Sequence, residues 1–192
     1  MKEIIILGMG ATMIKCPYDV EVWAVNQTYK VARKVDKLFI TDPRYNFKNQ
    51  NNHNWDELNS LNIPIVSLHK FPELKRFVRF PYDRIVERFG IQDSEYFSNT
   101  ICYMVAYALY KGYKKIRLYG VDLATSTEYI LEKGGVEFWL GIAIGMGVKV
   151  ENTKGSMVLK TPNGVPYGHK YSVNMKEVDP YDLCKGNTKS GG

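Results

Sequence analysis

Two glycines and a hydroxyl residue follow directly on the first apolar run of the chain. The run Ile4–Leu7 passes into Gly8-Met9-Gly10-Ala11-Thr12. Glycine lacks the Cβ that keeps a ligand away from the backbone, so this turn can present its amides to a large, flat or charged group. The ordinary alternative is a tight turn without a ligand. The pattern is not the G-x-G-x-x-G dinucleotide fingerprint, because Met13 stands at the third glycine position, and it is not a Walker loop.

A neutral amide ends the second apolar run. Asn26 follows Val20–Val25, where a dinucleotide-binding chain carries an acidic residue for the ribose. An amide donates and accepts at once, which suits a nucleobase edge or a sugar hydroxyl better than a phosphate charge. An Asx turn that closes the strand explains Asn26 equally well.

A third polar stretch, Ser98-Asn99-Thr100, opens the clearest helical pattern of the chain, Asn99–Lys111. The free amides and the positive dipole end of a helix suit a phosphate, and hydroxyls add donors. The same residues are also ordinary N-caps. On sequence alone we favour the cap, because every helix needs one.

The elements that would position these residues alternate between strands and helices. The predicted strands are Ile4–Leu7, Val20–Val25, Leu38–Thr41, Ile63–Leu68, Ile116–Tyr119 and Val148–Val150. The predicted helices are Thr28–Val35, His53–Leu61, Asn99–Lys111 and Val136–Met146. Parallel strands need a crossover that is usually helical, so the alternation predicts an α/β, Rossmann-like three-layer sandwich with a mainly parallel sheet. Ligands of such sheets lie beyond the carboxyl ends of the strands, where the polar stretches fall.

Length and composition exclude several classes of protein. The chain has 192 residues, 45% of them hydrophobic, so we expect one nucleotide-binding-type domain over residues 1–184 and a polar, flexible tail over 185–192. The apolar runs are far shorter than the roughly 20 residues that a bilayer requires, and no signal region is visible. We therefore expect a cytoplasmic protein without membrane contact.

Charge and cysteine content point to no special partner. The formal charge is +6, but acidic residues interrupt the basic stretches, so a solvated face is favoured over a nucleic-acid groove. The three cysteines, Cys16, Cys102 and Cys184, lie far apart and predict reduced thiols rather than disulfides or a zinc cluster. The sequence has no D-x-D pair for a donor-bound metal ion, although the carboxylates of Asp122 and Glu128 are alternative metal ligands. The oligomeric state stays open, with a homo-oligomer among the alternatives.

The sequences L-G-M-G-A-T, W-A-V-N-Q-T-Y and above all the stretch from Tyr96 to Asp122 carry a resemblance to a known family. They resemble the nucleotide-binding half of bacterial CMP-sialic-acid-dependent sialyltransferases. They are also similar to MptE-like proteins, which include pterin diphosphokinases, and to phage-encoded proteins of that type. The resemblance covers roughly Lys2–Asp122. The chain departs from the family's G-x-G-P-S turn at Ala11-Thr12 and is shorter than a typical sialyltransferase.

The resemblance implies a set of residues that bind a nucleotide or nucleotide-sugar ligand. Those placed against the phosphate or ribose are Gly8, Gly10 and Thr12. The nucleoside contact is Asn26, the phosphate or sugar contacts are Ser98, Asn99 and Thr100, and the base and ribose pocket is shaped by Gly120 and Asp122.

Two residues are candidates for the catalytic proton transfer. The family uses a histidine base, and His169 follows a glycine, but it lies after the last predicted strand. Imidazole has the right intrinsic pKa for a base, although a surface histidine is the ordinary alternative. Glu128 lies in a polar segment after the strand Ile116–Tyr119 and suits an acid, a base or a sugar-hydroxyl clamp, with a solvent-facing helix cap as the equal alternative.

The sequence therefore predicts a glycosyltransferase-like transferase that uses a nucleotide-activated donor. The alternative is a non-catalytic phage protein that binds and sequesters a nucleotide-derived immune signal. Both use the same pocket, and only the first requires a base. A nucleic-acid modifier ranks last, because positive charge alone supports it.

Overall fold

The computed structural model describes residues 1–43, 54–89, 96–123 and 127–161, with the backbone alone for 127–130. Its strands are β1 (Glu3–Leu7), β2 (Glu21–Val25), β3 (Lys37–Phe39), β4 (Ile65–Ser67), β5 (Phe77–Arg79), β6 (Lys115–Tyr119) and β7 (Lys149–Asn152). Its α-helices are α1 (Trp55–Ser60), α2 (Tyr82–Phe89), α3 (Thr100–Tyr110) and α4 (Thr127–Gly145). Single 3₁₀ turns follow β1 at Ala11–Lys15 and β2 at Asn26–Lys30.

The strands form one sheet in the order β5-β4-β3-β2-β1-β6-β7, and every neighbouring pair is parallel. This confirms the predicted α/β, Rossmann-like fold. The chain runs outward from β1 to β5 on one side and returns to the other side of β1 with β6. The order of the strands therefore reverses between β1 and β6, which is where open sheets of this kind hold their ligands.

Both faces of the sheet are covered, as the nearly continuous apolar strands require. Along β1, Ile4 and Ile6 pack with α3 and α4 on one face, whereas Ile5 and Leu7 pack with the first 3₁₀ turn on the other. A third cluster joins β3 and β4 to Leu58 of α1. The main core lies between the sheet and α3, whose residues Ile101–Leu109 are almost all buried.

The structure confirms the helix predicted over Asn99–Lys111. Asn99 caps α3, its Oδ1 accepting from the backbone N–H of Cys102 at 3.1 Å. Gly112 ends the helix in the left-handed region at φ 75°, as the sequence predicts.

Other element predictions are corrected. The helix predicted at Thr28–Val35 is wrong: the chain makes only the 3₁₀ turn Asn26–Lys30, because the backbone leaves the helical region at Val31 with φ −123°. The last helix begins at Thr127 rather than at Val136. Strand β5 and helix α2 lie in a basic stretch that we interpreted only as a solvated face.

In the part of the chain that is described, no helix is long and apolar enough to cross a bilayer. Cys16 and Cys102 are buried free thiols, as predicted, and Cys184 lies outside the described residues. The tail 185–192 also lies outside them.

Candidate functional site

The predicted binding residues lie at one edge of the sheet. Because all strands are parallel, their carboxyl ends form a row that includes Gly8 after β1, Asn26 after β2 and Gly120 after β6. The start of α3 reaches the same edge, since the hydroxyl oxygens of Thr41, just beyond β3, and Thr100 lie 2.7 Å apart. The glycine turn and the Ser98–Thr100 stretch are therefore on the same side of the molecule, as the predicted site requires.

The turns after β1 and β6 are tied together by Thr12 and Asp122. The Asp122 carboxylate accepts from the backbone N–H of Thr12 at 2.9 Å and from the Thr12 hydroxyl. The same hydroxyl oxygen accepts from the backbone N–H of Gly120 at 2.9 Å. Thr12 is only 7% exposed, so these bonds are shielded from water. We call Gly8, Gly10, Thr12, Gly120 and Asp122 the β1–β6 bridge.

The glycines of the bridge are required by this close approach. A Cβ on Gly10 would lie 2.6 Å from Oδ2 of Asp122, and one on Gly8 would lie 2.9 Å from the carbonyl carbon of Gly120. Gly120 has φ 66°, and its Cβ would lie 2.8 Å from the carbonyl carbon of Gly8. Side chains at these positions would collide with backbone or with Asp122.

The backbone amides of the bridge are also in use. Gly8 donates to the carbonyl of Tyr119 at 2.8 Å, Gly10 donates to that of Gly120 at 2.7 Å, and Thr12 donates to Asp122. These amides cannot bind a phosphate without giving up a bond within the protein. The geometry favours the ordinary alternative for the glycines, a tight turn, and ligand contacts by the bridge residues stay a prediction.

Asn26 differs from the bridge residues, because its side chain leaves a buried hydrogen-bond acceptor unsatisfied. It sits in the left-handed region, and its Oδ1 is buried without a hydrogen-bond partner among the described residues. The hydroxyl of Thr28, which is 0% exposed, likewise has no partner there. An unsatisfied buried acceptor costs about 1–3 kcal/mol. The Asx turn that would otherwise explain Asn26 is not made by Oδ1, and a ligand contact by Asn26 stays a prediction.

The residues at the start of α3 are engaged with α4. Asn99 donates from Nδ2 to the Glu132 carboxylate at 2.8 Å, and the Ser98 hydroxyl donates to the backbone carbonyl of Glu132 at 2.7 Å. A Cβ on Gly135 would lie 2.9 Å from Cβ of Ser98, so glycine allows the two helices to meet there. The Glu132 carboxylate places negative charge beside the end of α3 that would otherwise attract an anion. Ser98 and Asn99 therefore act as cap and helix anchor in the structure.

The hydroxyl pair of Thr41 and Thr100 keeps binding capacity. One hydroxyl donates to the other, which leaves the proton of the acceptor and further lone pairs for a ligand. Thr100 is buried and Thr41 is half-buried. Of the three residues predicted at this helix start, Thr100 is the one whose hydroxyl contacts the sheet edge.

The segment after β7 closes the outer side of the bridge. Met157 donates its backbone N–H to the carbonyl of Asp122 at 2.9 Å, and the buried Ser156 hydroxyl donates to the carbonyl of Val121 at 2.7 Å. Neither residue was predicted, and neither carries a local sequence signal. The same holds for Glu132, which only the packing of α4 against α3 brings to the site.

The catalytic predictions fall mainly outside what the structure shows. Glu128 is within the first turn of α4, so the polar segment that carries it is helical from Thr127 onward. His169 lies outside the described residues. The described residues contain no cluster of His, Cys, Asp or Glu side chains that could hold a metal ion.

The fold can be compared with known proteins once this geometry is established. No protein-family model and no curated protein sequence matches the chain. The sialyltransferase CstII matches in its complex with a trisaccharide acceptor and CMP, at 18% identity and a TM-score of 0.55, over 79% of this chain and 80% of that chain. The Campylobacter jejuni enzyme in complex with CMP-3FNeuAc matches at 18% identity and a TM-score of 0.54, over 79% of this chain and 80% of that chain. Its complex with CMP matches at 19% identity and a TM-score of 0.51, over 79% of each chain. The chain therefore has a sialyltransferase-like fold.

Proposed function

We propose that this chain binds a nucleotide-activated sugar at the carboxyl edge of its sheet and transfers the sugar to an acceptor. The observation that carries the proposal is the orphaned Oδ1 of Asn26, one strand away from the point where the strand order reverses. An amide oxygen suits a ribose hydroxyl or an exocyclic amine of a base. Support comes from the fold, since structures with the same fold were solved with CMP or CMP-3FNeuAc bound.

The ligand would extend from Asn26 toward the start of α3. The free capacity of the Thr41 and Thr100 hydroxyls suits the sugar or a phosphate oxygen. Glu132 disfavours a phosphate held directly against Ser98 or Asn99, because two negative groups would then approach each other. We therefore assign the phosphate to the side of Thr100 that faces β3.

The chemistry would be a substitution at the anomeric carbon of the donor. The bond from that carbon to the phosphate oxygen breaks, the acceptor hydroxyl forms the new bond, and its proton passes to a base. Stabilising the departing phosphate charge is the main contribution expected of the site. His169 and Glu128 remain our candidates for the base.

Calorimetric titration with CMP and CMP-N-acetylneuraminic acid tests the proposal, with UMP, AMP and GMP as competitors. Asn26→Gly removes the amide and keeps the left-handed backbone, and we expect it to weaken nucleotide binding about tenfold or more, the loss of roughly one good polar contact. Asn62→Gly is the matched control, because Asn62 is exposed and also has positive φ, 54°. Equal binding by wild type and Asn26→Gly would overturn the assignment.

A second candidate is a protein that holds a nucleotide-derived molecule without converting it. Its support is that Asp122 and Glu132, two of the carboxylates near this edge, already form hydrogen bonds with Thr12 and Asn99. Long incubation with the bound nucleotide sugar separates the two candidates. Release of the free nucleotide and sugar favours the transferase, and quantitative recovery of the intact ligand favours sequestration.

A further inference from the structure

A cleft of about 440 Å³ opens at the far end of the same edge, beyond the nucleotide site. It lies between the carboxyl ends of β4 and β5 and the start of α2. Its lining includes Leu68, Arg79, Phe80, Tyr82, Asp83 and Arg84. The volume is typical of small-molecule sites, and the position, beyond the ends of parallel strands, is where ligands of this fold bind.

Two uncompensated guanidinium groups set the charge of the cleft. Arg79 and Arg84 are both exposed, and neither guanidinium group forms a hydrogen bond or ion pair with any described residue. By contrast, Arg117 at the opposite edge is paired with Asp19 and Glu3. Asp83 contributes one negative charge against these two positive ones, so the cleft favours an anion.

Aromatic rings connect this cleft to the nucleotide site. Phe80 is buried at the base of the cleft and lies 6.3 Å from the ring of Phe97, while Tyr82 lies 5.7 Å from the same ring. Phe97 directly precedes Ser98 at the start of α3. A ligand with an apolar face and an anionic group would match this surface, since guanidinium forks bind carboxylates and phosphates in two-point contacts.

We propose that the Arg79–Arg84 cleft binds the anionic group, a carboxylate or a phosphate, of the acceptor substrate. The inference rests on the proposed function, because an acceptor exists only if the chain transfers a sugar. The ends of β2 and β5 are three strand spacings apart, about 14 Å. That span places a nucleotide sugar on β1 to β3 and leaves β4 and β5 for a second, negatively charged substrate.

Titration calorimetry with matched probes tests this. The anionic probes are 3′-sialyllactose for a carboxylate and glucose 6-phosphate for a phosphate, and lactose and glucose are their neutral counterparts. We expect one or both anions to bind wild type at least about tenfold more tightly than the neutral sugars. Which anion binds identifies the carboxylate or the phosphate as the recognised group.

The variants Arg79→Gln and Arg84→Gln should each weaken anion binding about tenfold, because each removes a charge-assisted contact. Arg76→Gln is the matched control, since Arg76 is exposed at the amino end of β5 and should bind like wild type. Equal affinity for anionic and neutral sugars, or unchanged anion binding in both cleft variants, would overturn the inference.

The nucleotide titration keeps the two proposals separate. Arg79→Gln should bind CMP like wild type. If CMP does not bind but 3′-sialyllactose binds in an Arg79-dependent manner, the donor site is wrong and the anion cleft stands. If CMP binds and no anion is preferred, the cleft is wrong and the donor site stands.

Discussion

The β1–β6 bridge and the end of β2 lie side by side at one edge of the sheet and differ in how their polar groups are used. In the bridge, Thr12 alone takes part in three hydrogen bonds, and glycines let the two turns touch. At the end of β2, Asn26 and Thr28 each bury an oxygen that has no partner among the described residues. A satisfied network stabilises a fold, and an unsatisfied buried group is a cost that a ligand can remove.

The comparison teaches that the most conspicuous sequence motif need not mark the ligand. The glycine turn drew attention because its missing side chains expose backbone, but the space is occupied by the turn after β6. Asn26 at the end of β2 is less conspicuous in the sequence, yet its Oδ1 is the hydrogen-bond acceptor that has no partner among the described residues. The bridge would then position the strand ends, and Asn26 would contact the ligand.

Gly120→Ala should give the largest effect, a loss of about 4 kcal/mol in the free energy of unfolding. Part of the cost is the left-handed backbone at φ 66°, and part is the collision of the new Cβ with the backbone of Gly8. Chemical denaturation measures the sum. Gly112→Ala isolates the first part, because Gly112 has φ 75° and an added Cβ would meet nothing within 4 Å. We expect about 1 kcal/mol there, and equal losses in the two variants would show that the bridge is not tightly packed.

Thr12→Val should cost about 2 kcal/mol. Valine keeps the shape of threonine but removes the acceptor of the buried Gly120 N–H and the hydroxyl donor to Asp122. Thr28→Val is the matched control, since the Thr28 hydroxyl is equally buried and bonds to nothing among the described residues. That variant should be neutral or slightly stabilising. A loss at position 28 as large as that at position 12 would erase the contrast between the two regions.

A satisfied network at the opposite, amino edge of the sheet should behave like the bridge. Glu21 accepts from Tyr113 and from Nε1 of Trp23 at 2.6 Å, and Lys37 lies 3.5 Å away. Burial raises the pKa of Glu21, but these hydrogen bonds and the lysine charge outweigh it and hold the pKa below its usual value. Because the folded-state pKa is depressed, the stabilisation is present above the unfolded-state value, about 4.3, and is lost as the pH falls through the folded-state pKa.

Glu21→Gln should therefore lower stability at pH 7 by less than about 1 kcal/mol, since the carboxylate is a third exposed and screened by solvent. The difference from wild type should shrink below about pH 4, and CMP affinity should stay unchanged. Glu87→Gln, at an exposed glutamate without an ion pair among the described residues, is the control for general charge effects. A difference between Glu21→Gln and wild type that is independent of pH would contradict the role assigned to the carboxylate.

Local patterns allowed the sequence to predict the sheet and the best helix. The apolar run at Ile4–Leu7 and the cap at Asn99 are signals within a few residues, and both elements form as predicted. The Thr12–Asp122 pair could not be predicted, because its members are 110 residues apart and only the closing of β1 against β6 joins them. Strand β5 was not predicted because its two apolar residues, Phe77 and Val78, lie between Arg76 and Arg79 in a basic stretch.

The sequence predicted that Gly8, Asn26 and Gly120 lie at the carboxyl edge of the sheet, and their binding roles stay predictions. The position of Asn26 at a strand end was predicted from the sequence. Its left-handed backbone and its unpartnered Oδ1 were not, because no neighbouring residue signals them. The Glu132 contact to Asn99 likewise arises from packing between α3 and α4. Long-range packing therefore decides which of the polar residues at this edge are already satisfied.

The smallest stability effect, and the most informative one, is expected for Asn26→Gly. Glycine costs about 0.5–1 kcal/mol in unfolded-chain entropy, but it tolerates φ 46° and removes the unsatisfied Oδ1. These terms oppose each other, and the second is at least as large as the first, so the variant should lose no stability while nucleotide affinity falls. Thermal shift with and without CMP measures both quantities in one series. A loss of stability comparable to that of Thr12→Val would show that Asn26 is part of the scaffold, and the two regions would then serve the same purpose.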